Sequence, residues 1–319
     1  MVTVNRTLNN TATALFLNGD IRQAEKKFKE AISKNKKDVA ALNNLGFLYA
    51  STGKPEKALS YYQLALGYDR NDSAVLLNLG NLYVTNGEFD NGMKMLQRSI
   101  ELKPDSAGSW ESVAKLYEMT GNYELSIAAW EEVIRLAPEE KDAKYHLALV
   151  YSLQKNFQRA LFLLHEMLEK DTENPMILTQ IGIIHLMKED FGTSADYLKA
   201  ALSFDPENEN ARYHLALSKL LAGHKQEAID ELRKLLLLFP AHLKGNSDLG
   251  VLLLSENKPE EAMKYFDKAI EAGNDIKAMF YKALTLKQLK KINQANILFR
   301  KVSKMNDKVY SAKAEKQLT

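Results

Sequence analysis

The chain has 319 residues, 45% of them hydrophobic, with 43 basic against 41 acidic side chains and a formal net charge of +2. It contains no cysteine, which excludes disulfides, cysteine nucleophiles and thiolate metal sites. No apolar run approaches the roughly 18–20 residues that a membrane span requires, and the opening MVTVNRTLNNTATALFLNGD lacks the basic stretch, apolar core and cleavage site of a secretory signal.

In chain order, the sequence repeats itself. Gly46, Gly80, Ala114, Ala148, Gly182, Ala216 and Gly250 stand 34 positions apart, with Ala12 one step before them and Ala283 33 after Gly250. Twelve residues into the same frame runs a second small-residue ladder: Ala24, Ala58, Gly92, Ser126, Ala160, Ser194, Ala228, Ala262 and Ala295. In the unit from Val39 to Asp72, Leu42, Leu45, Gly46 and Tyr49 share one face of a predicted first helix. Gly53 signals a turn, Pro55 suits the start of a second helix, and Ala58, Tyr62 and Ala65 give that helix its apolar face. Gly46 and Ala58 are expected to be small because the two helices approach closely where they cross. Pro104, Pro138, Pro206 and Pro240 stop the second helix in later units. Nine units are predicted, beginning at Asn5, Val39, Ser73, Ala107, Lys141, Pro175, Glu209, Leu243 and Ile276. A short helix over 307–319 follows, with Val309, Tyr310 and Ala314 placed to cover the last unit. Such self-similarity predicts one all-α solenoid over 1–319.

Trp110, Val113, Ala114, Tyr117, Gly121, Ser126, Trp130 and Pro138 in one unit resemble the tetratricopeptide (TPR) signature. So do Asn246, Leu249, Gly250, Leu253, Ala262, Phe266 and Ala269 in another. The departures are Asn246, in place of a large apolar residue, and Lys155, Glu189 and Asn257, in place of the turn glycine. The resemblance implies a right-handed superhelix of helix pairs whose first helices line a concave groove. It implies binding of protein or peptide segments, without cofactor, metal or catalytic residue. TPR domains that clamp the C-terminal carboxylate of Hsp90-type chaperones use lysine at position five, where this chain has none, so that specialisation is not expected.

Within this frame, position six reads Asn10, Asn44, Asn78, Ser112, His146, Gln180, His214, Asp248 and Tyr281, and Asn81 stands beside the column. An asparagine amide offers both donor and acceptor, so a column of them can pair with the main chain of an extended peptide. The column is similar to the asparagine ladder in the TPR superhelix of O-GlcNAc transferase. In the fifth to eighth units, apolar residues that include Leu149, Leu153, Ile183, Val251 and Leu254 accompany it; they form either an apolar trough or packing between units. Leu186, Met187, Leu220 and Leu221 are the best trough candidates.

From Ile276 onward, eleven basic residues face two acidic ones, a net charge of +9 against −7 for the rest. This end is either a solubilising terminal repeat or a docking site for an acidic partner through Lys277, Lys282, Lys287, Lys290 and Lys291. Aromatic residues do not interleave with these lysines, so nucleic acid is not an expected ligand. The six histidines are not spaced to share a metal ion, and no phosphate loop or nucleophile elbow occurs. The expected function is a non-enzymatic adaptor that holds an extended or amphipathic segment, as TPR proteins of bacterial envelope biogenesis, secretion or pilus assembly do. The alternatives are a self-associating structural protein and the TPR part of a larger or split transferase. The expected setting is cytoplasmic, or periplasmic or membrane-anchored if an N-terminal segment is missing; any membrane contact would run through such an anchor or a partner.

Overall fold

In a computed structural model, residues 2–318 are described, with side chains from residue 6 onward. Met1 and Thr319, the ends of the expected 1–319 span, lie outside the described residues. Nineteen helices and no strand occur among the described residues. The first helices of the hairpins are α1 (Val2–Leu17), α3 (Val39–Ser51), α5 (Ser73–Thr85), α7 (Ala107–Met119), α9 (Lys141–Leu153), α11 (Pro175–Met187), α13 (Glu209–Leu221), α15 (Leu243–Ser255) and α17 (Ile276–Gln288). Their partners are α2 (Ile21–Lys34), α4 (Pro55–Tyr68), α6 (Phe89–Leu102), α8 (Tyr123–Leu136), α10 (Phe157–Lys170), α12 (Phe191–Phe204), α14 (Lys225–Leu238), α16 (Pro259–Ala272) and α18 (Ile292–Ser303), and α19 (Tyr310–Leu318) follows. Eight first helices start at the residues that the 34-residue frame marks, while α1 begins three residues ahead of Asn5. The chain divides into two compact units, Met1–Leu163 and Leu164–Thr319.

The small residues serve a more specific purpose than close crossing alone. A Cβ on Gly46 would lie 2.6 Å from the Tyr62 ring, and one on Gly250 2.5 Å from Phe266. The large side chain midway along each second helix therefore fills the space that the first helix leaves vacant. Those side chains form the core: Phe28, Tyr62, Leu96, Trp130, Leu164, Leu198, Leu232, Phe266 and Phe299 are all buried.

In three repeats the residue four places into the first helix ties down a loop carbonyl. Trp110 Nε1 donates to Pro104 O at 3.0 Å, Arg212 Nη2 to Pro206 O at 2.6 Å, and Asn246 Nδ2 to Pro240 O at 2.9 Å. Asn246 thus keeps the donor of the residue it replaces while giving up the bulk. Asp38, Asp72, Asn208 and Asp275 cap first helices by accepting backbone N–H groups.

All nine turns within hairpins contain one residue with positive φ. Five are glycines, and the others are Lys155 (61°), Glu189 (62°), Asn257 (60°) and Lys290 (61°). A side chain in this region costs about 1–2 kcal/mol, so Lys155→Gly and Glu189→Gly should each stabilise the fold by about 0.5–1 kcal/mol, after the larger loss of unfolded-state freedom at glycine. Urea denaturation measures this, and a lower midpoint in both variants would contradict it.

The C-terminal helix starts at Tyr310, where Asp307 Oδ1 accepts from the Val309 and Tyr310 N–H groups. Ala314 is fully buried against the cluster that contains Phe280 and Phe299. Tyr310 packs there too, with its ring 5.5 Å from Phe280. Val309, expected to cover the last repeat, precedes the helix and is 56% exposed.

Candidate functional site

In the first unit, the first helices of three successive repeats bound a cleft of about 290 Å³ lined by Thr13, Phe16, Leu17, Phe28, Asn44, Phe47 and Asn78. None of these side chains is ionisable. Phe16 and Phe47 meet edge to face at 5.8 Å, and Phe47 remains 47% exposed while Leu17 is 77% exposed. Large apolar side chains exposed this way at a cleft are ready to desolvate against a ligand. The aromatic pair was not among the sequence candidates. Phe16 also packs against the core cluster, so the signal was Phe47, a large aromatic residue on the exposed side of its helix.

The asparagines do not stand as separate rungs. Asn44 Nδ2 donates to Asn9 Oδ1 at 3.1 Å, and Asn78 Nδ2 donates to Asn43 Oδ1 at 3.0 Å. Position six of one repeat is thereby clasped to position five of the repeat before it. Each pair uses one N–H and one oxygen lone pair, so every amide keeps a donor and an acceptor for other partners. The clasp holds the amides in one orientation. Asn10 and Asn81 are exposed, and Ser112 turns its hydroxyl back on Gly108 O at 3.0 Å. His146 is half-buried and stacks on Trp130, the ring centroids 4.8 Å apart and the planes 4° from parallel. Its Nδ1 is buried without a hydrogen-bond partner.

In the second unit the column is more committed to the fold. Gln180 is half-buried. His214 Nδ1 bonds Asn210 O at 2.8 Å, and burial lowers its pKa against the opposing effect of that bond. Asp248 accepts from Tyr213 Oη at 2.9 Å and from Lys277 Nζ at 2.5 Å. The Tyr213–Asp248 bond repeats the five-to-six clasp in different chemistry. Burial, then the Asp248 charge, raises the Tyr213 pKa. For Lys277, burial opposes the charged form, but the bond and charge of Asp248 outweigh it and hold the pKa above its usual value.

Two corrections follow for the basic end. Lys277 is spent on Asp248, and Lys282 on a short bond to Asp267, because both project from α17 towards neighbouring acids. Lys287 donates to Gln317 Oε1 at 3.0 Å, which leaves Lys290 and Lys291 exposed at the turn before α18. The apolar residues divide between the two readings, packing between units and an exposed trough. Leu220, Val251 and Leu254 pack against the core cluster of the last repeats, and Leu186 is half-buried. Met187 and Leu221, the final residues of α11 and α13, are 46% and 58% exposed. Leu17, Met119 and Leu153 hold the same helix-end place in the first unit, at 77%, 59% and 53% exposure. The remaining first helices α3, α5, α15 and α17 end in Ser51, Thr85, Ser255 and Gln288, so these apolar ends do not form a continuous ridge.

Among the described residues, no three His, Asp or Glu side chains converge to hold a metal ion, and no helix is long and apolar enough to cross a membrane.

Comparison with curated proteins finds no match. Among solved structures, a chain of the APC/C hetero-tetramer Cut9–Hcn1 is similar, with a TM-score of 0.57 and 16% identity over 88% of this chain and 55% of that one. The pilF structure of Pseudomonas aeruginosa is similar at a TM-score of 0.57 and 16% identity, over 65% of this chain and 95% of that one. At such identities the likeness shows the fold. A tetratricopeptide-repeat model matches residues 244–272, and that of the cilia and flagella-associated protein 70 C-terminal domain matches residues 1–248. Over most of its length, therefore, the chain belongs to the tetratricopeptide-repeat family of the cilia and flagella-associated protein 70 C-terminal domain.

Proposed function

We propose that the chain is a non-catalytic scaffold whose first three repeats hold an extended, uncharged segment of a partner protein. The uncharged cleft that Phe16 and Phe47 line, bordered by the clasped asparagines, carries this assignment. An apolar anchor of leucine or phenylalanine size would gain about 1.5–3 kcal/mol on burial there, and each main-chain bond to an amide about 0.5–1.5 kcal/mol. The amides are already oriented, so little of that gain goes into ordering them. We further place this scaffold in the cytoplasm, in keeping with a family named for cilia and flagella; cell fractionation tests that setting.

Selection of a random peptide display library on the full chain should enrich uncharged peptides with an aromatic or aliphatic anchor. Phe16→Ser with Phe47→Ser should weaken a selected peptide at least about tenfold, the equivalent of about 1.4 kcal/mol. Asn44→Ala with Asn78→Ala should weaken it too and, because it breaks both clasps and leaves the buried Asn43 amide without its donor, should also lower the melting temperature. Raising salt from about 50 to about 500 mM should change the affinity less than about twofold, because no charge pair lines the cleft. Enrichment of charged peptides whose binding collapses in salt would discard the assignment.

A further inference from the structure

Two positions of the repeat frame come together between successive repeats: position 25 of one and position 19 of the next. Arg233 and Glu261 bridge there at 3.0 Å, and Glu131 and Arg159 both bond the Tyr151 hydroxyl, at 3.4 and 3.2 Å. Lys199 with Glu227 is a third pair of opposite sign, and four other junctions have at least one uncharged member. Only the first junction places like charges at these positions, Lys29 and Lys57. Two ammonium groups at this register repel each other, so folding does not account for them.

These two lysines line a cavity of about 460 Å³ between α2 and α4, together with Tyr49, Ser60, Tyr61 and Leu64. The rings of Tyr49 and Tyr61 stack at 5.5 Å, and the Lys57 and Lys54 ammonium groups lie 5.5 and 5.7 Å from the Tyr49 ring centre. Arg159 lies over Tyr151 in the same way, at 5.4 Å, but there Glu131 answers the cation, and here Lys29 stands in the place of that acid. The neighbouring carboxylate, Glu25, is already held by Lys29 at 2.6 Å and by the Tyr49 hydroxyl at 2.8 Å. Lys54 and Lys57 are exposed and have no ion-pair partner among the described residues. In all, α2, α4 and Lys54 hold seven basic residues against three acidic, a net charge of +4. Of the other two acids, Glu30 is bridged by Lys27 and Lys34, and Glu56 does not line the cavity.

We infer that this cavity is a second binding site, for an acidic segment of a partner protein that sets carboxylates on Lys29 and Lys57 and an apolar side chain against Tyr61 and Leu64. Opposite charge steers and registers such a segment. A peptide fits better than a bare anion because Leu64 is 44% exposed, and only an apolar group gains by covering it. The cations are lysines, point charges that single carboxylates can satisfy, and no arginine fork of the kind that favours phosphate is among the lining residues. No side chain lines both this cavity and the uncharged cleft, so the two sites hold different ligands.

Fluorescence anisotropy of the full chain with a labelled Glu-Glu-Glu-Phe-Glu-Glu-Glu peptide tests this. The peptide should bind, and its dissociation constant should rise at least about tenfold between about 50 and about 500 mM salt. Lys29→Gln with Lys57→Gln should weaken binding at least about tenfold. Lys57→Glu, which restores the opposite charges of other junctions, should abolish binding without lowering the melting temperature. Both positions are exposed, and circular dichroism checks that the variants fold. Leu64→Ser, and a peptide with serine in place of phenylalanine, should each cost at least about threefold. Lys290→Gln with Lys291→Gln removes as much charge from the other end of the chain and should leave the affinity unchanged. Phe47→Ser alters the cleft and should also leave it unchanged, so failure here and failure of the cleft assignment are read apart. No binding, binding that survives Lys29→Gln with Lys57→Gln, or an equal loss in Lys290→Gln with Lys291→Gln would overturn the inference. So would equal affinity for the serine peptide, or full displacement by inorganic phosphate at the peptide's own concentration.

Discussion

Trp130→Ala should lower stability by about 3–5 kcal/mol, the range for removing a buried large aromatic side chain. Trp130 is only 1% exposed, its indole N–H is bonded to Glu118, and its ring stacks on His146. Alanine would leave a cavity in the fourth repeat, an unsatisfied carboxylate and an imidazole with no surface to lie on. Trp130→Phe separates these contributions. It keeps most of the volume and the stack but loses the N–H donor, so it should cost only about 1–2 kcal/mol. Chemical denaturation of both variants gives the comparison. Equal losses would mean that the hydrogen bond, and not the ring, dominates.

Glu231→Ala should cost a comparable amount, about 3–5 kcal/mol, because it strips a buried charge from its partners. The Glu231 side chain is 8% exposed, and it meets Arg212 at 3.3 Å, Lys219 at 3.1 Å and Lys234 at 3.1 Å. Arg212 and Lys219 are themselves only 13% exposed, so they would remain as poorly hydrated cations after the substitution. Burial raises the Glu231 pKa, but hydrogen bonds from Lys234 and Lys219 and their charges bring it below the ordinary carboxylate value. A folded-state pKa below the unfolded value of about 4.3 means that the unfolded chain takes up a proton first. The stabilisation is therefore present above about pH 4.3 and is lost as pH falls through the lowered folded value. In Glu231→Leu this acid-dependent component should disappear from the pH profile of the melting temperature; an unchanged slope would assign it to other carboxylates.

Helix boundaries were legible because the core imposes a strict period. The large residue of each second helix requires a small one opposite, and Pro104 or Gly53 mark the ends by backbone chemistry that tolerates few substitutes. The turns at Lys155 and Lys290 show the converse: their left-handed backbone is imposed by flanking helices, and neither side chain announces it. Site residues were less legible for a related reason. Position six was identified as a polar column, but its bonds run to position five of the preceding repeat, a relation 35 residues long that appears only when both positions are compared. Leu220 and Leu221 adjoin in sequence, yet helix geometry turns one to the core and the other to solvent. Hydrophobicity alone could not separate them, nor could charge alone show that Lys277 faces Asp248.

The clasps between repeats also bear on how such a chain could be cut and rejoined. Asn9 receives from Asn44, and Asn43 from Asn78, so the first three hairpins interlock in one direction only. Duplicating the block that carries Asn43 and Asn44 would preserve every donor and acceptor at both seams. Transplanting a hairpin with tyrosine and histidine at those places would leave an amide facing a ring. Gene-level shuffling of this protein is thus constrained less by hairpin length than by which neighbours share a compatible handshake.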